Sequence, residues 1–196
     1  MSRKPKEVII VGGPNGAGKS TFALEYLAAH PCPYYSADAI AAQLSPSDPA
    51  LAKVSAGREF LKQVHDALAS ETHFVVESTL SGRTFSRWIS VARRSNFIIS
   101  VFFLYLDSFE TCISRVDERA KKGGHTVPAD EIRRRFGRSL SNFWHIYRPL
   151  ADHWSIIYNS GVVFQIVAAG TAHDLSVTDI GRFDQFQELA QDSTDG

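Results

Sequence analysis

The stretch from Val8 to Ser20 constrains the fold of this chain more than any other. Val8-Ile9-Ile10-Val11 is an unbroken β-branched run with no polar alternation. A run of that kind reads as a strand buried on both faces, as in a parallel sheet. It ends in Gly12-Gly13, and a helix is predicted from Lys19 to about Ala29, stopped near Pro31 and Pro33. Between strand and helix, Gly13-Pro14-Asn15-Gly16-Ala17-Gly18-Lys19-Ser20 satisfies G-x-x-x-x-G-K-[ST] in full. The glycines let several backbone N–H groups turn inward on one anion, and the helix N-terminus adds partial positive charge. In such a loop Lys19 reaches the β- and γ-phosphates of a nucleoside triphosphate, and Ser20 offers its hydroxyl to Mg²⁺. Gly13 to Ser20, with Thr21 behind them, are therefore the expected binding residues for ATP and Mg²⁺. The bland alternative is a glycine-rich turn with a chance Lys-Ser, and the strand–helix context argues against it.

The rest of the chain repeats the alternation of strand and helix. Tyr34-Tyr35-Ser36-Ala37 reads as a second strand ending at Asp38, followed by a short helix to Leu44. Leu51, Val54, Leu61, Val64 and Leu68 recur at helical spacing between Ala50 and Ala69. A third strand is predicted over His73 to Val76 and a fourth over Phe97 to Leu106, with a helix over Thr84 to Arg94 between them. Phe109, Cys112, Ile113 and Val116 mark the next helix. The loop Gly123 to Pro128 leads to a long helix ending near Arg148, and Val162 to Val167 is the fifth predicted strand. From Gln185 to Gly196 the chain is polar and reads as a fraying tail. These elements predict one α/β domain over residues 1–196, three-layered and P-loop kinase-like. It has a five-stranded, mostly parallel sheet and a helical lid over about residues 108–148.

Bulk composition narrows the partners. Lys plus Arg is 21 and Asp plus Glu is 21, so no net charge draws the chain to nucleic acid or to an anionic membrane. No apolar stretch approaches the roughly 20 residues that span a bilayer. Cys32 and Cys112 lack metal-site spacing and read as reduced thiols. The expectation is a cytoplasmic protein that acts on a small molecule.

In a parallel α/β sheet, ligands bind beyond the C-terminal ends of the strands. Asp38 and Glu77 are predicted there. A kinase needs a carboxylate to accept a hydroxyl proton or to hold Mg²⁺, directly or through water, and either residue could serve. Asp38 has a structural alternative as a helix N-cap, and Glu77 as a solvated loop acid. At about 100° per residue, Arg115, Arg119 and Lys122 gather on one side of their helix, while Arg134 and Arg138 share a face of the next. Two such helices joined by a glycine-rich loop could present cations to a transferring phosphoryl group. The alternative is a pair of solvated faces with local ion pairs. His125 in the loop has two readings, a phosphate contact or simple exposure.

The ordered set of motifs resembles the zeta toxin family, particularly its short bacterial members. The resemblance runs through Gly13 to Thr21, Ala37-Asp38 with Ile40-Ala41, and Glu77-Ser78-Thr79-Leu80-Ser81-Gly82. It continues through Arg115-Val116, Gly123-Gly124-His125, Val127-Pro128, Ile132 to Arg135, Arg138-Ser139-Leu140 and Asn142, and ends at Tyr158-Asn159-Ser160. It implies a P-loop kinase that phosphorylates a sugar hydroxyl of UDP-N-acetylglucosamine, with an antitoxin protein as a possible partner. Carried over, Asp38 is the general base, Glu77 and Thr79 contact the acceptor, and lid arginines, here Arg119, Arg134 and Arg138, hold the ATP phosphates. The family usually has Asn two residues before the Asp, where this chain has Ser36. Two other readings stand beside this one. They are a kinase for a nucleotide or an RNA end, and a slow ATPase or ATP-binding module that signals through a partner protein.

Overall fold

A computed structural model describes residues 6–124 and 126–191; His125 and the last five residues of the predicted tail lie outside it. The strands are β1 (Glu7–Gly12), β2 (Tyr34–Ser36), β3 (Phe74–Ser78), β4 (Ile98–Tyr105), β5 (His153–Tyr158), β6 (Gln165–Gly170) and β7 (Leu175–Val177). The helices are α1 (Lys19–Ala29), α2 (Ala37–Leu44), α3 (Lys53–Ala69), α4 (Thr84–Arg94), α5 (Phe109–Lys121), α6 (Ala129–Asn142) and α7 (Ile180–Gln191). All seven strands form one sheet in the order β2-β3-β1-β4-β5-β6-β7. Pairing is parallel from β2 through β5 and antiparallel for β6 and β7. The fold is thus α/β and P-loop kinase-like, as expected, but the sheet has seven strands rather than five. Two strands were missed: β5, which follows Pro149 and pairs in parallel with β4 across a crossover, and the short β7, which pairs antiparallel with β6. The expected fifth strand is β6, displaced to Gln165–Gly170.

The helices bury their apolar faces on this sheet. β1 is buried from Val8 onward, as its composition requires. In α3, Ala56, Phe60, Val64, Ala67 and Leu68 form the stripe that faces the core. In α6, Ile132, Phe136 and Leu140 do the same. The long helix predicted to reach Arg148 ends its regular winding at Asn142. A wider π turn covers Phe143–Tyr147 and a 3₁₀ turn covers Arg148–Leu150. Pro149 has no N–H to give and cannot continue an α-helix. Residues 185–191, expected to fray, instead form the second half of α7. Phe186 and Ala190 are buried there, and Phe186 packs against Phe103, Tyr105 and Phe143. A few large apolar residues hold a segment whose average composition is polar.

Register sets the position of the site. Val11 lies opposite Glu77 and Gly12 opposite Ser78, while Ser36 pairs with Glu77 from the other side. The chain after β1, the end of β3 and the start of α2 therefore emerge together at the C-terminal edge of the sheet. No helix among the described residues is long and apolar enough to cross a membrane.

Candidate active site

At that edge the loop after β1 closes under tight steric limits. Gly13 has φ 140°, and a Cβ there would stand 2.2 Å from the carbonyl oxygen of Leu104. Gly18 has φ 88°, and a Cβ there would meet the Asn159 side-chain amide at 2.4 Å. Only glycine satisfies both the positive φ and the close approach. The Asn159 amide in turn donates to the Ala17 carbonyl at 2.9 Å, so the chain just past β5 clamps the loop from outside. Lys19 opens α1 almost fully buried and donates from Nζ to the Pro14 carbonyl at 3.0 Å. Behind the loop lies Cys112, whose thiol burial pushes up to about 12, against the opposing pull of Lys19.

Ser20 follows at the mouth of the loop. Its hydroxyl donates to Oε2 of Glu77 at 2.9 Å, and the Tyr34 hydroxyl donates to the same oxygen. Glu77 is 8% exposed, so these two donors are what offset the cost of burying its carboxylate. Burial first, and then the Glu77 charge, raise the Tyr34 phenol above its ordinary range, so it stays protonated as the donor. Asp38 sits in the first turn of α2. The capping role open to Asp38 falls instead to Ser36, whose hydroxyl accepts from the Ala39 N–H at 3.4 Å.

A cleft of about 830 Å³ unites these residues. Asn15, Gly16, Gly18, Lys19, Ser20 and Thr21 line one wall, Asp38 and Glu77 a second, Arg115 and Arg119 of α5 a third. Asn159 and Gly161–Phe164, in the β5–β6 connection, close the last side. The sequence pattern had marked all but Glu25 and the β5–β6 residues as candidates of some kind. Two expected residues do not line this cleft from α6: Arg134 and Arg138 are exposed. The α6 arginine that touches the loop is Arg135, from Nη1 to the Asn15 side-chain oxygen at 3.5 Å, while its Nη2 pairs with Glu131. Helical phase gave the clue, since Arg135 flanks Ile132 and Phe136 on the core side and sits four residues after Glu131. Thr79 also stands apart from the cleft lining, its hydroxyl bonded to that of Ser81 at 2.9 Å. The β3–α4 loop that carries it is pinned from α6 and the π turn. Asn142 donates to the Leu80 carbonyl at 3.0 Å, and Tyr147 donates to that of Gly82. Leu80 holds φ 55°, an uncommon value for a side-chain-bearing residue, and is kept there by these contacts and by its own burial.

Ser20 and Glu77 fit Mg²⁺ by donor chemistry, being hard oxygens that meet at 2.9 Å in the lining of the cleft. Among the described residues no three His, Cys, Asp or Glu side chains gather as a metal cage. Mg²⁺ is usually held by one or two protein oxygens together with nucleotide phosphates and water, so two protein donors suffice.

Loop, sheet order and cleft together define an α/β P-loop nucleotide-binding domain of the kinase-like kind. The chain belongs to the AAA domain family, whose model matches residues 8–140. It is 31% identical over 136 residues to an uncharacterised protein of Haemophilus influenzae, across 66% of this chain and 92% of that protein. Its fold is similar to that of AvrRxo1-ORF1:-ORF2 solved with ATP. The TM-score is 0.74 at 16% identity, over 94% of this chain and 64% of that one. The present chain thus spans just under two thirds of its length. The fold is also similar to a structure of the PezAT chromosomal toxin–antitoxin system of Streptococcus pneumoniae. There the TM-score is 0.60 at 12% identity, over 100% of this chain and 90% of that one. At such identities the likeness is one of fold.

Proposed function

We propose that this protein is an ATP-dependent small-molecule kinase that transfers the γ-phosphate to a hydroxyl, with a UDP-amino sugar such as UDP-N-acetylglucosamine as the first acceptor to test. One observation carries the reading: Asp38 faces the same cleft as Lys19, Ser20, Arg115 and Arg119. A carboxylate there can take the proton of an attacking hydroxyl, whether that of an acceptor or of water, so the identity of the product separates a kinase from an ATPase. The cleft volume lies in the range of small-molecule sites, large enough for more than a triphosphate.

In the proposed reaction the acceptor hydroxyl oxygen attacks the γ-phosphorus. The bond from that phosphorus to the β,γ-bridging oxygen breaks, ADP leaves, and the hydroxyl proton passes to Asp38. Lys19 and the loop amides hold the phosphates, and Arg115 and Arg119 meet charge on the transferring group. Ser20 and Glu77 would hold Mg²⁺, which would supply neutralisation of phosphate charge. In this proposal Glu77, expected to contact the acceptor, serves the metal instead, a reading supported by its bond to Ser20. Thr79, Arg134 and Arg138 would join only if the lid closes on a bound acceptor. A regulating protein of the antitoxin kind belongs to the same proposal, supported by the fold likeness to a chain of a toxin–antitoxin system.

The test is product analysis. With γ-labelled ATP, Mg²⁺ and a panel of UDP-sugars, nucleotides and RNA ends, a labelled phosphomonoester of one acceptor is expected. Asp38→Asn should lower its formation roughly 10²–10⁴-fold while ATP binding persists. Release of inorganic phosphate alone, unchanged in Asp38→Asn, would replace the kinase with an ATPase.

A further inference from the structure

Ser20 and Tyr34 converge on a single oxygen of Glu77 from different parts of the fold. Ser20 stands in the first turn of α1, and Tyr34 begins β2, the edge strand of the sheet. Glu77 lies between them at the end of β3, almost fully buried. A carboxylate oxygen has about two lone-pair directions, so two hydroxyl donors fill Oε2. With both in place, the carboxylate cannot turn about its last torsion without losing one of them.

The hydroxyl of Ser20 has one proton and two lone pairs. Donating that proton to Glu77 turns the lone pairs away from the carboxylate, toward the cleft that Ser20 lines. This is the state in which a serine oxygen can ligate a cation. Without Tyr34, Glu77 gains rotational freedom, and the Ser20 proton loses its fixed acceptor. Nothing in the phosphate-loop motif requires a tyrosine at this distance in sequence; the register of β2 on β3 supplies it, with Tyr34 opposite Val75 and Ser36 opposite Glu77.

We propose that Tyr34 is a positioning residue for the cation–nucleotide complex: its phenol fixes Glu77, Glu77 orients the Ser20 hydroxyl, and the stiffness of this arrangement makes the site favour Mg²⁺ over larger divalent cations. The inference rests on the nucleotide-binding reading of the loop. Mg²⁺ demands near-ideal octahedral geometry at short distances, whereas Ca²⁺ tolerates irregular and variable coordination. A looser Ser20 should therefore penalise Mg²⁺ most.

The experiment uses the full chain, wild type, Tyr34→Phe and Tyr35→Phe. Tyr35, the next residue of β2, is the control, since its ring packs edge-on against Phe74 of β3 rather than joining the hydroxyl cluster on Glu77. Binding of a fluorescent ATP analogue is titrated in EDTA and against Mg²⁺, Mn²⁺ and Ca²⁺, with the melting temperature recorded for each variant. In Tyr34→Phe the Mg²⁺ concentration for half-maximal tight binding should rise roughly 3–30-fold, less than the roughly 10–150-fold of a whole charge-assisted hydrogen bond because Tyr34 acts only through Glu77 and Ser20. The rise should be smaller for Ca²⁺, affinity in EDTA should not change, and Tyr35→Phe should behave as wild type. Unchanged Mg²⁺ dependence overturns the proposal, as does an equal loss with every cation. The lost bond to buried Glu77 should itself lower the melting temperature by a few degrees beyond Tyr35→Phe, whereas an equal loss of nucleotide affinity in EDTA overturns the proposal in favour of a structural role. If the wild type shows no cation-dependent nucleotide binding, the nucleotide reading itself fails; if it does and Tyr34→Phe matches it, the role of Tyr34 alone is refuted.

Discussion

Replacing Lys19 by methionine should separate binding from stability, with effects of different size and sign. The ammonium is almost fully buried and, among the described residues, makes one hydrogen bond, to the Pro14 carbonyl at 3.0 Å. An ammonium has three donors. Two therefore remain for a ligand in the cleft that Lys19 lines. At about 1.5–3 kcal/mol for each charge-assisted bond, their loss costs about 3–6 kcal/mol of MgATP binding. That is a roughly 10²–10⁴-fold weaker dissociation constant. Stability should respond differently. The variant loses the bond to Pro14 but is relieved of burying a cation, and methionine keeps most of the apolar stem. These contributions oppose each other, so the melting temperature should stay within about 4 °C of wild type or rise, for a change of about 1 kcal/mol in a chain of this size. Calorimetric titration with MgATP, alongside a thermal melt, reads both. An affinity within threefold of wild type would show that Lys19 does not meet phosphate. A collapse of the melting temperature with the affinity would show that the lysine is a structural strut.

Glu77→Gln should raise the Mg²⁺ requirement for tight ATP binding tenfold or more with little change in acceptor KM; an acceptor-KM effect alone would return Glu77 to the acceptor. Arg115→Ala and Arg119→Ala should lower kcat at least tenfold with a small effect on ADP affinity, whereas Arg134→Ala and Arg138→Ala should lie within threefold of wild type. Equal losses from all four would mean that α6 swings its exposed arginines into the cleft during turnover. The native protein should not label at Cys112 with a thiol reagent at pH 8, because its thiol is buried and pushed up to about 12, and should label there once denatured. Tyr147 is likewise pushed up to about 12 by burial. Its unfolded form ionises near 10, so the unfolded state binds fewer protons above that pH, and the stability it contributes below pH 10 should decline between about 10 and 12. A melting temperature that climbs over that interval contradicts this.

Local chemistry was enough for the phosphate loop and the parallel architecture. A β-branched run, glycines at positions of positive φ and a lysine opening a helix are short-range requirements, and each is met by neighbours in sequence. The stripe of α3 was legible only in part: Val64 and Leu68 are buried as expected, whereas Leu51, Val54 and Leu61 are exposed and Ala56, Phe60 and Ala67 complete the core face. Less was legible where a segment depends on distant partners. β5 has a polar start at His153 and follows a proline break, and it becomes a strand by pairing with β4. Residues 185–191 looked too polar to order, yet Phe186 and Ala190, with Phe183 just before them, dock that stretch on the core.

The site divides along the same line. Sequence by itself determined which residue types were available at the strand ends: Lys19 and Ser20 in the loop, Asp38 and Glu77 beyond it, and arginines on two helices. Only the tertiary structure decided their partners. Strand register brought Tyr34 and Ser20 to one oxygen of Glu77, a strand absent from the sequence reading placed Asn159, just past its end, to clamp the loop, and the rotation of α6 turned Arg135 to Asn15 while leaving Arg134 and Arg138 in solvent. The physical reason is reach. Helix and turn geometry act over a few residues, whereas a hydrogen bond between side chains 57 or 120 positions apart exists only once the sheet has fixed which ends of which elements meet.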